Sequence, residues 1–183
     1  YESLGSAVCH VMELEKMEEK ALGEFLIKPE YENLVTALYF AMEAHESVLN
    51  IYTVLSEYLD MNGKHEMRLK LGKMILAGLR DYPAEKLDGS LGVEFVGIID
   101  DIAKYLLSLR RYAEAEESYQ IALAIWLQNK GYGQDQIRQK SGSIYHQLGR
   151  VAQEQRQWDR AREYFLKDLE ISREFNDPQG MSI

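Results

Sequence analysis

The chain has 183 residues, 46% of them apolar, so it has enough material to bury a substantial core. Its 21 Lys and Arg against 30 Asp and Glu leave a net charge of −9, and no basic block interleaved with aromatics occurs, which argues against a nucleic-acid partner. The single cysteine, Cys9, rules out an intramolecular disulfide framework; no apolar run approaches the roughly 18 residues of a membrane span, and no signal segment opens the chain, so a cytoplasmic domain is predicted.

Only three prolines occur, at Pro29, Pro83 and Pro178, and no stretch alternates apolar and polar residues as a half-buried strand does. An all-α fold follows, with each proline marking a helix boundary. From Glu2 to Leu26, Leu4, Val8, Val11, Met12, Leu14, Met17, Leu22 and Phe25 recur at intervals of mostly three and four, as on a long amphipathic helix that Lys28-Pro29 ends. A second helix, about Glu30 to Glu43, carries Leu34, Val35, Leu38, Tyr39 and Met42 inward. Ala44-His45-Glu46 turns the chain into Ser47 to Met61, which Asn62-Gly63 closes with a left-handed cap. His65 to Arg80 follows, stopped by Asp81-Tyr82-Pro83, and the polar connection Ala84 to Leu91 is the best candidate for a hinge. Val93 to Leu109 and Tyr112 to Lys130 form a clear pair joined at Arg110-Arg111.

Two further helices fill Ser143 to Phe175, and here the spacing becomes specific. Tyr145, Leu148 and Gly149 lie on one helix, Ala161 and Phe165 on the next. Ile99, Ile102 and Ala103, then Ala115 and Tyr119, stand in the same places in the preceding pair. The interval from Ala103 to Ala115 is 12 residues, and so is that from Gly149 to Ala161. Carried backward, the frame places Tyr52, Leu55, Ser56 and Leu59 on a first helix, but Arg68 falls where a small residue is wanted. Successive copies are offset by 47 and then 46 residues. Paired helices approach closely only where a side chain is missing, which is why the frame turns on Gly149, Ala103, Ala115 and Ala161.

An aromatic, then Leu-Gly, then Ala with an aromatic four residues later resembles the tetratricopeptide repeat, although the offsets exceed the 34 residues usual there. The resemblance implies a right-handed α-solenoid of antiparallel helix pairs, about eight helices in all. Residues 1–46 form an N-terminal helical pair leading into repeats over 47–183: a degenerate one at 47–83, better-formed ones at 93–131 and 136–176, and a further repeat cut short at 178–183. Tyr1 is not an initiator methionine and Met181-Ser182-Ile183 reads as an unfinished helix, so a fragment of a longer protein is expected. The wording YHQLGRVAQEQRQW and LEISREFND, with Glu30-x-x-Asn33-Leu34-x-x-Ala37-Leu38, resembles the C-terminal repeat region of bacterial STAND-type signalling ATPases.

That resemblance implies an interaction module in a larger regulator, its ATPase elsewhere, since no glycine-rich phosphate loop with Lys-Ser or Lys-Thr occurs here. No cofactor is expected, and no metal: His10, His45, His65 and His146 are scattered, and none sits in an H-E-x-x-H or E-x-x-H arrangement. In the solenoid the first helix of each repeat faces a concave wall. This puts Asp100, Asp101 and Lys104 from one repeat, and His146, Gln147, Arg150, Gln153 and Glu154 from the next, on a candidate groove for a protein or peptide. A peptide-pheromone receptor would use the same groove with Lys104 or Arg150 as anchor, and an enzyme would have to rely on the Asp100, Asp101 and Lys104 cluster. A clamp of Lys and Asn for a partner's terminal carboxylate is disfavoured by Asp100 and Asp101. Asp168, in a position that wants a small apolar residue, is expected at an exposed edge or paired with a cation such as Arg150 or Arg162.

Overall fold

The computed structural model describes residues 17–175, and all regular structure among them is helical. Seven α-helices follow one another there: α1 Met17–Glu43, α2 Leu49–Met61, α3 His65–Gly78, α4 Ser90–Ser108, α5 Tyr112–Gln128, α6 Gln134–Glu154 and α7 Trp158–Glu174. A 3-10 turn, Leu79–Asp81, extends α3. The chain divides into two compact units, Tyr1–Pro83 and Ala84–Ile183. No described helix is long and apolar enough to cross a membrane. Cys9, His10 and the segment 178–183 lie outside the described residues.

In the first unit, the expected break at Lys28-Pro29 is absent: α1 runs through Pro29 as one helix of 27 residues. An interior proline deletes a backbone hydrogen bond and costs about 3 kcal/mol in a helix. What holds α1 together is a buried stripe, Ile27, Leu34, Leu38 and Met42, that continues on one face across the proline, while Pro29 itself is exposed. Phe25 and Tyr39, expected on the inner face, are instead 73% and 55% exposed. Helix α2 supplies most of this unit's core through Ile51, Tyr52, Val54, Leu55, Tyr58 and Leu59. Arg68 fills the place on α3 that wants a small residue by lying along the protein with its guanidinium on Asp60, 2.6 Å away.

The second unit consists of two helix pairs, α4 with α5 and α6 with α7, stacked through α5 and α6. Each pair closes around small residues and large apolar ones facing them. Phe95, Ile99 and Ala103 of α4 meet Ala115, Tyr119 and Ala122 of α5, all 1% exposed or less. Leu148, Val151 and Ala152 of α6 are equally buried, with Ala161 and Ile171 of α7 beside them. Burying one Leu or Ile side chain contributes roughly 1.5–3 kcal/mol, so these layers dominate the stability of the unit. The connection before α4 is fastened by Asn129, whose side chain is buried. Its Oδ1 accepts from the amides of Gly89 (3.0 Å) and Gly131 (2.9 Å), and its Nδ2 donates to the carbonyls of Leu87 and Gly89 at 3.2 Å. The Lys130 amide adds a bond of 2.8 Å to Asp88. The segment with the character of a hinge therefore has its second half tied to the α5–α6 loop.

The turns within the pairs share one geometry. His45, Gly63, Arg110 and Arg156 each take a left-handed conformation, with φ of 56°, 63°, 58° and 57°. The following amide bonds back to a carbonyl five residues earlier: Glu46 to Ala41, Lys64 to Leu59, Arg111 to Leu106 and Gln157 to Ala152, at 2.8–2.9 Å. This motif satisfies carbonyls that a helix end leaves without partners, and glycine suits its left-handed position best. Gly63, Arg110 and Arg156 are separated by the same 47 and 46 residues as the sequence frame. A left-handed non-glycine residue costs about 1–2 kcal/mol, partly offset by the chain entropy that glycine would bring. Arg156→Gly is therefore expected to raise stability by roughly 0.5–1 kcal/mol in urea denaturation; a loss of stability would show that the Arg156 side chain makes compensating contacts.

Tyr82 closes the first unit. Its hydroxyl donates to the Glu46 carbonyl at 2.8 Å and its ring meets His45 edge-on, with centroids 5.1 Å apart. Burial, and secondarily the Glu46 charge, push its pKa from the usual 10 to about 12. The folded state then holds the phenolic proton more tightly than the unfolded chain does, so its contribution is full below pH 10 and is lost as pH rises toward 12. Tyr82→Phe is expected to flatten the fall in melting temperature over that alkaline window; an unchanged slope would place the titration elsewhere.

Candidate functional site

Helices α4 and α6 are the first helices of the two pairs, and between their C-terminal halves a pocket of about 490 Å³ opens. The last turns of α4 contribute Lys104, Leu107 and Ser108; the α4–α5 turn contributes Arg110, and α5 begins with Tyr112. Arg150 and Glu154 reach the same pocket from α6. Lys104 is bound to Asp100 one turn back on its own helix at 2.6 Å, the spacing at which opposite charges on a helix meet. Arg150 donates to Gln147 at 3.2 Å, which orients its guanidinium without neutralising it. Among the described residues Arg110, Arg150 and Glu154 make no ion pair.

Beneath this surface lies Tyr119 of α5, 1% exposed, whose hydroxyl forms no hydrogen bond within ordinary geometric limits. Burial first, and the Asp100 carboxylate second, push its pKa above the ordinary tyrosine value, while Arg150 pulls the other way. Asp100 of α4, Tyr119 of α5 and Arg150 of α6 thus share one electrostatic neighbourhood. The second seam between the pairs is also polar. Glu116 of α5 receives Arg160 of α7 and, at 3.3 Å, Gln155 from the α6–α7 turn.

Of the residues that sequence places on the groove, Lys104, Arg150 and Glu154 meet in this pocket. Asp100 and Gln147 stand behind it as partners of Lys104 and Arg150. Asp101 is half-buried on α4 and lines neither pocket described here. Gln153 belongs to a different pocket, about 300 Å³ and mostly apolar, formed with Trp158, Ala161, Arg162, Phe165 and Leu166. Ser108, Arg110 and Tyr112 lie outside the positions that the repeat frame indexes: Ser108 ends α4, Arg110 is in the turn and Tyr112 starts α5. The basic pair Arg110-Arg111 between two apolar helices was the available signal.

His146 turns away from the pocket. Its Nδ1 lies 3.0 Å from Oδ2 of Asp168 on α7, and its ring meets Phe165 edge-on at 5.5 Å. Asp168 is only 4% exposed, so the edge position expected for it is not the one it occupies, and its partner is His146 rather than Arg150 or Arg162. A carboxylate only accepts, so Nδ1 carries the proton. Gly142 lies close to the same face of α7: a Cβ there would crowd Ile171 at 3.1 Å and stand in ordinary contact with Asp168 Oδ1 at 3.4 Å. Among the described residues no group of three or more His, Cys, Asp or Glu could hold a metal ion.

Removing the imidazole would leave a buried carboxylate without its donor. His146→Ala is expected to destabilise the chain by roughly 1–3 kcal/mol, below the full cost of breaking a buried pair because the imidazole is partly exposed. Replacing both partners, as His146→Leu with Asp168→Leu, should restore most of that loss in thermal denaturation; a double variant no better than the single one would mean that the pair does not carry the effect.

Residues 142–175 match the tetratricopeptide-repeat family model. No curated protein matches the chain. Among solved structures the fold is similar to the crystal structure of BtubC (BKLC) from P. vanneervenii, with a TM-score of 0.55 and 18% sequence identity over 84% of this chain. The chain spans 57% of the length of that structure. The fold is an all-α helical-repeat solenoid of the tetratricopeptide kind, and its matched repeat is the α6–α7 pair.

Proposed function

We propose that the chain is a non-catalytic module that binds a protein or peptide along the face formed by the first helices of its pairs, with Asp100, Asp101, Lys104, His146, Gln147, Arg150, Gln153 and Glu154 on or beside that face. The observation carrying this reading is the pocket between α4 and α6, where Arg110, Arg150 and Glu154 converge without ion-pair partners. Exposed charges that satisfy one another on their own helix are ordinary surface, whereas charges of both signs left open in a concavity are available to a partner. The repeat reading behind it is a degenerate copy over 47–83 followed by two better-formed copies over 93–131 and 136–176. The wider context we propose is the cytoplasmic scaffold or sensor region of a larger bacterial regulator of the STAND type.

A peptide-pheromone receptor is a second reading, favoured by Arg150, a guanidinium poised by Gln147 and free to hold a peptide's terminal carboxylate. The enzymatic alternative is weaker. Lys104 and Asp100 form an exposed pair one turn apart, the usual arrangement of a solvated helix surface.

Selection from a displayed random-peptide library should enrich sequences whose affinity falls at least tenfold with Asp101→Lys and Gln147→Glu together. The exposed α7 substitution Glu163→Lys should leave the same affinity unchanged. Enrichment of nothing, or equal sensitivity to all three substitutions, would overturn the groove as the binding face.

A further inference from the structure

We infer that the pocket between α4 and α6 takes the phosphoryl group of a phosphorylated serine or threonine side chain, with a basic residue of the same peptide beside it on Glu154. This rests on the groove reading and deepens it. The argument begins with what the pocket offers. Arg110 comes from the α4–α5 turn and Arg150 from the next helix pair, so two guanidiniums reach one concavity from separate elements. Neither has a carboxylate partner among the described residues, in a chain with nine more acids than bases. A chain so acidic readily supplies partners to exposed arginines; Arg111, adjacent to Arg110, is taken by Glu114 at 2.5 Å, and Arg138 is shared by Glu170 and Glu174.

The donor set distinguishes a phosphoryl group from a carboxylate. A guanidinium presents a planar fork of N–H donors, and one such fork satisfies both oxygens of a carboxylate. Two forks arriving from separate elements, with the Tyr112 hydroxyl and the Asp100-paired ammonium of Lys104 on the same wall, exceed what two oxygens can use, even though the Ser108 hydroxyl is already spent on the Tyr105 carbonyl at 2.7 Å. A phosphoryl monoester has three accepting oxygens and close to two negative charges at neutral pH, which suits that excess. Glu154 then needs a cation, and an acid in a site for an anion is otherwise only repulsive. A lysine or arginine next to the phosphorylated residue resolves this, and it excludes free phosphate as the best ligand.

The test uses the whole chain, an oriented peptide library with phosphoserine fixed before lysine, its unphosphorylated counterpart, and inorganic phosphate. Calorimetry should show the best phosphopeptide binding at least tenfold more tightly than its unphosphorylated form, and more tightly at pH 8 than at pH 5, where the second phosphoryl proton is regained. Arg110→Gln and Arg150→Gln should each weaken it tenfold or more with the melting transition retained, while Arg110→Lys keeps part of the affinity. Glu154→Gln should weaken the phosphoserine-lysine peptide and tighten a phosphoserine-alanine peptide, which loses only a repulsion; equal effects on the two would overturn the place of Glu154 in the site. Equal binding of phosphorylated and unphosphorylated peptides would overturn the inference while leaving the groove reading intact, and so would indifference to both arginine substitutions. Saturable binding of inorganic phosphate with no gain from the peptide would assign the pocket to a free anion and overturn the peptide source.

Discussion

The close approach of α6 and α7 is the constraint on which the best-formed repeat depends. A Cβ on Gly149 would stand 2.6 Å from the Phe165 ring, and the ring, not a flexible chain end, is what it would meet. Phe165 lies where it does because Gly149 has no side chain, and its ring then supports the imidazole of His146 edge-on. That imidazole in turn satisfies the buried Asp168, while Gly142, one turn earlier on α6, lets Ile171 of α7 approach closely. Two missing side chains on α6 thus admit one aromatic ring and one isoleucine from α7, and the carboxylate of Asp168 is buried between them in sequence. Steric room comes first and polar satisfaction follows from it, since a buried carboxylate without a donor would be strongly unfavourable.

The preceding pair solves the same problem with alanines. Ala103 and Ala115 are fully buried where Gly149 and Ala161 stand in the next pair, and Tyr119 replaces Phe165. Tyrosine keeps the ring but adds a hydroxyl, and that hydroxyl finds no hydrogen bond, lying instead in the field of Asp100 and Arg150. One repeat therefore places a partly exposed, wholly apolar ring at this position while the other places a buried ring with a polar end. The seam between the two pairs is held by Glu116, which joins Arg160 and Gln155 across the stack.

Much of this was legible because periodicity and small residues record packing directly. The 12-residue interval between small residues, and the 47- and 46-residue offsets, reappear as left-handed turn residues at Gly63, Arg110 and Arg156. Only one of these is a glycine, so turn chemistry alone would have found Gly63 and missed the other two. The continuity of α1 was not legible, because Pro29 is a strong local signal and the buried stripe that outweighs it is a tertiary effect. For Asp168 the requirement for a cation was readable, but the identity of the partner was not. Arg150 lies eighteen residues away and Arg162 six, and neither figure says which face each side chain takes. The groove was legible as a helix face only. Its turn residues escaped, since a frame built on helical spacing assigns no position to a residue between helices.

Arg110 brings these strands together. A glycine would suit its backbone better, as at Gly63, and the same holds for His45 and Arg156, so a strained turn residue is not by itself a sign of function. What separates Arg110 from Arg156 is location. Arg110 lines the polar pocket, whereas Arg156 lines neither of the two pockets described above. A left-handed residue at the end of α4 turns the chain within three residues, and this brings the next side chains, up to Tyr112, back to the pocket that Lys104 and Ser108 already line. Arg150 and Glu154 complete it from a helix some forty residues later, so the pocket exists only when the two pairs are stacked. Its chemistry is therefore a property of the repeat array and not of any one repeat, which is the condition for a solenoid to read a partner longer than a single side chain.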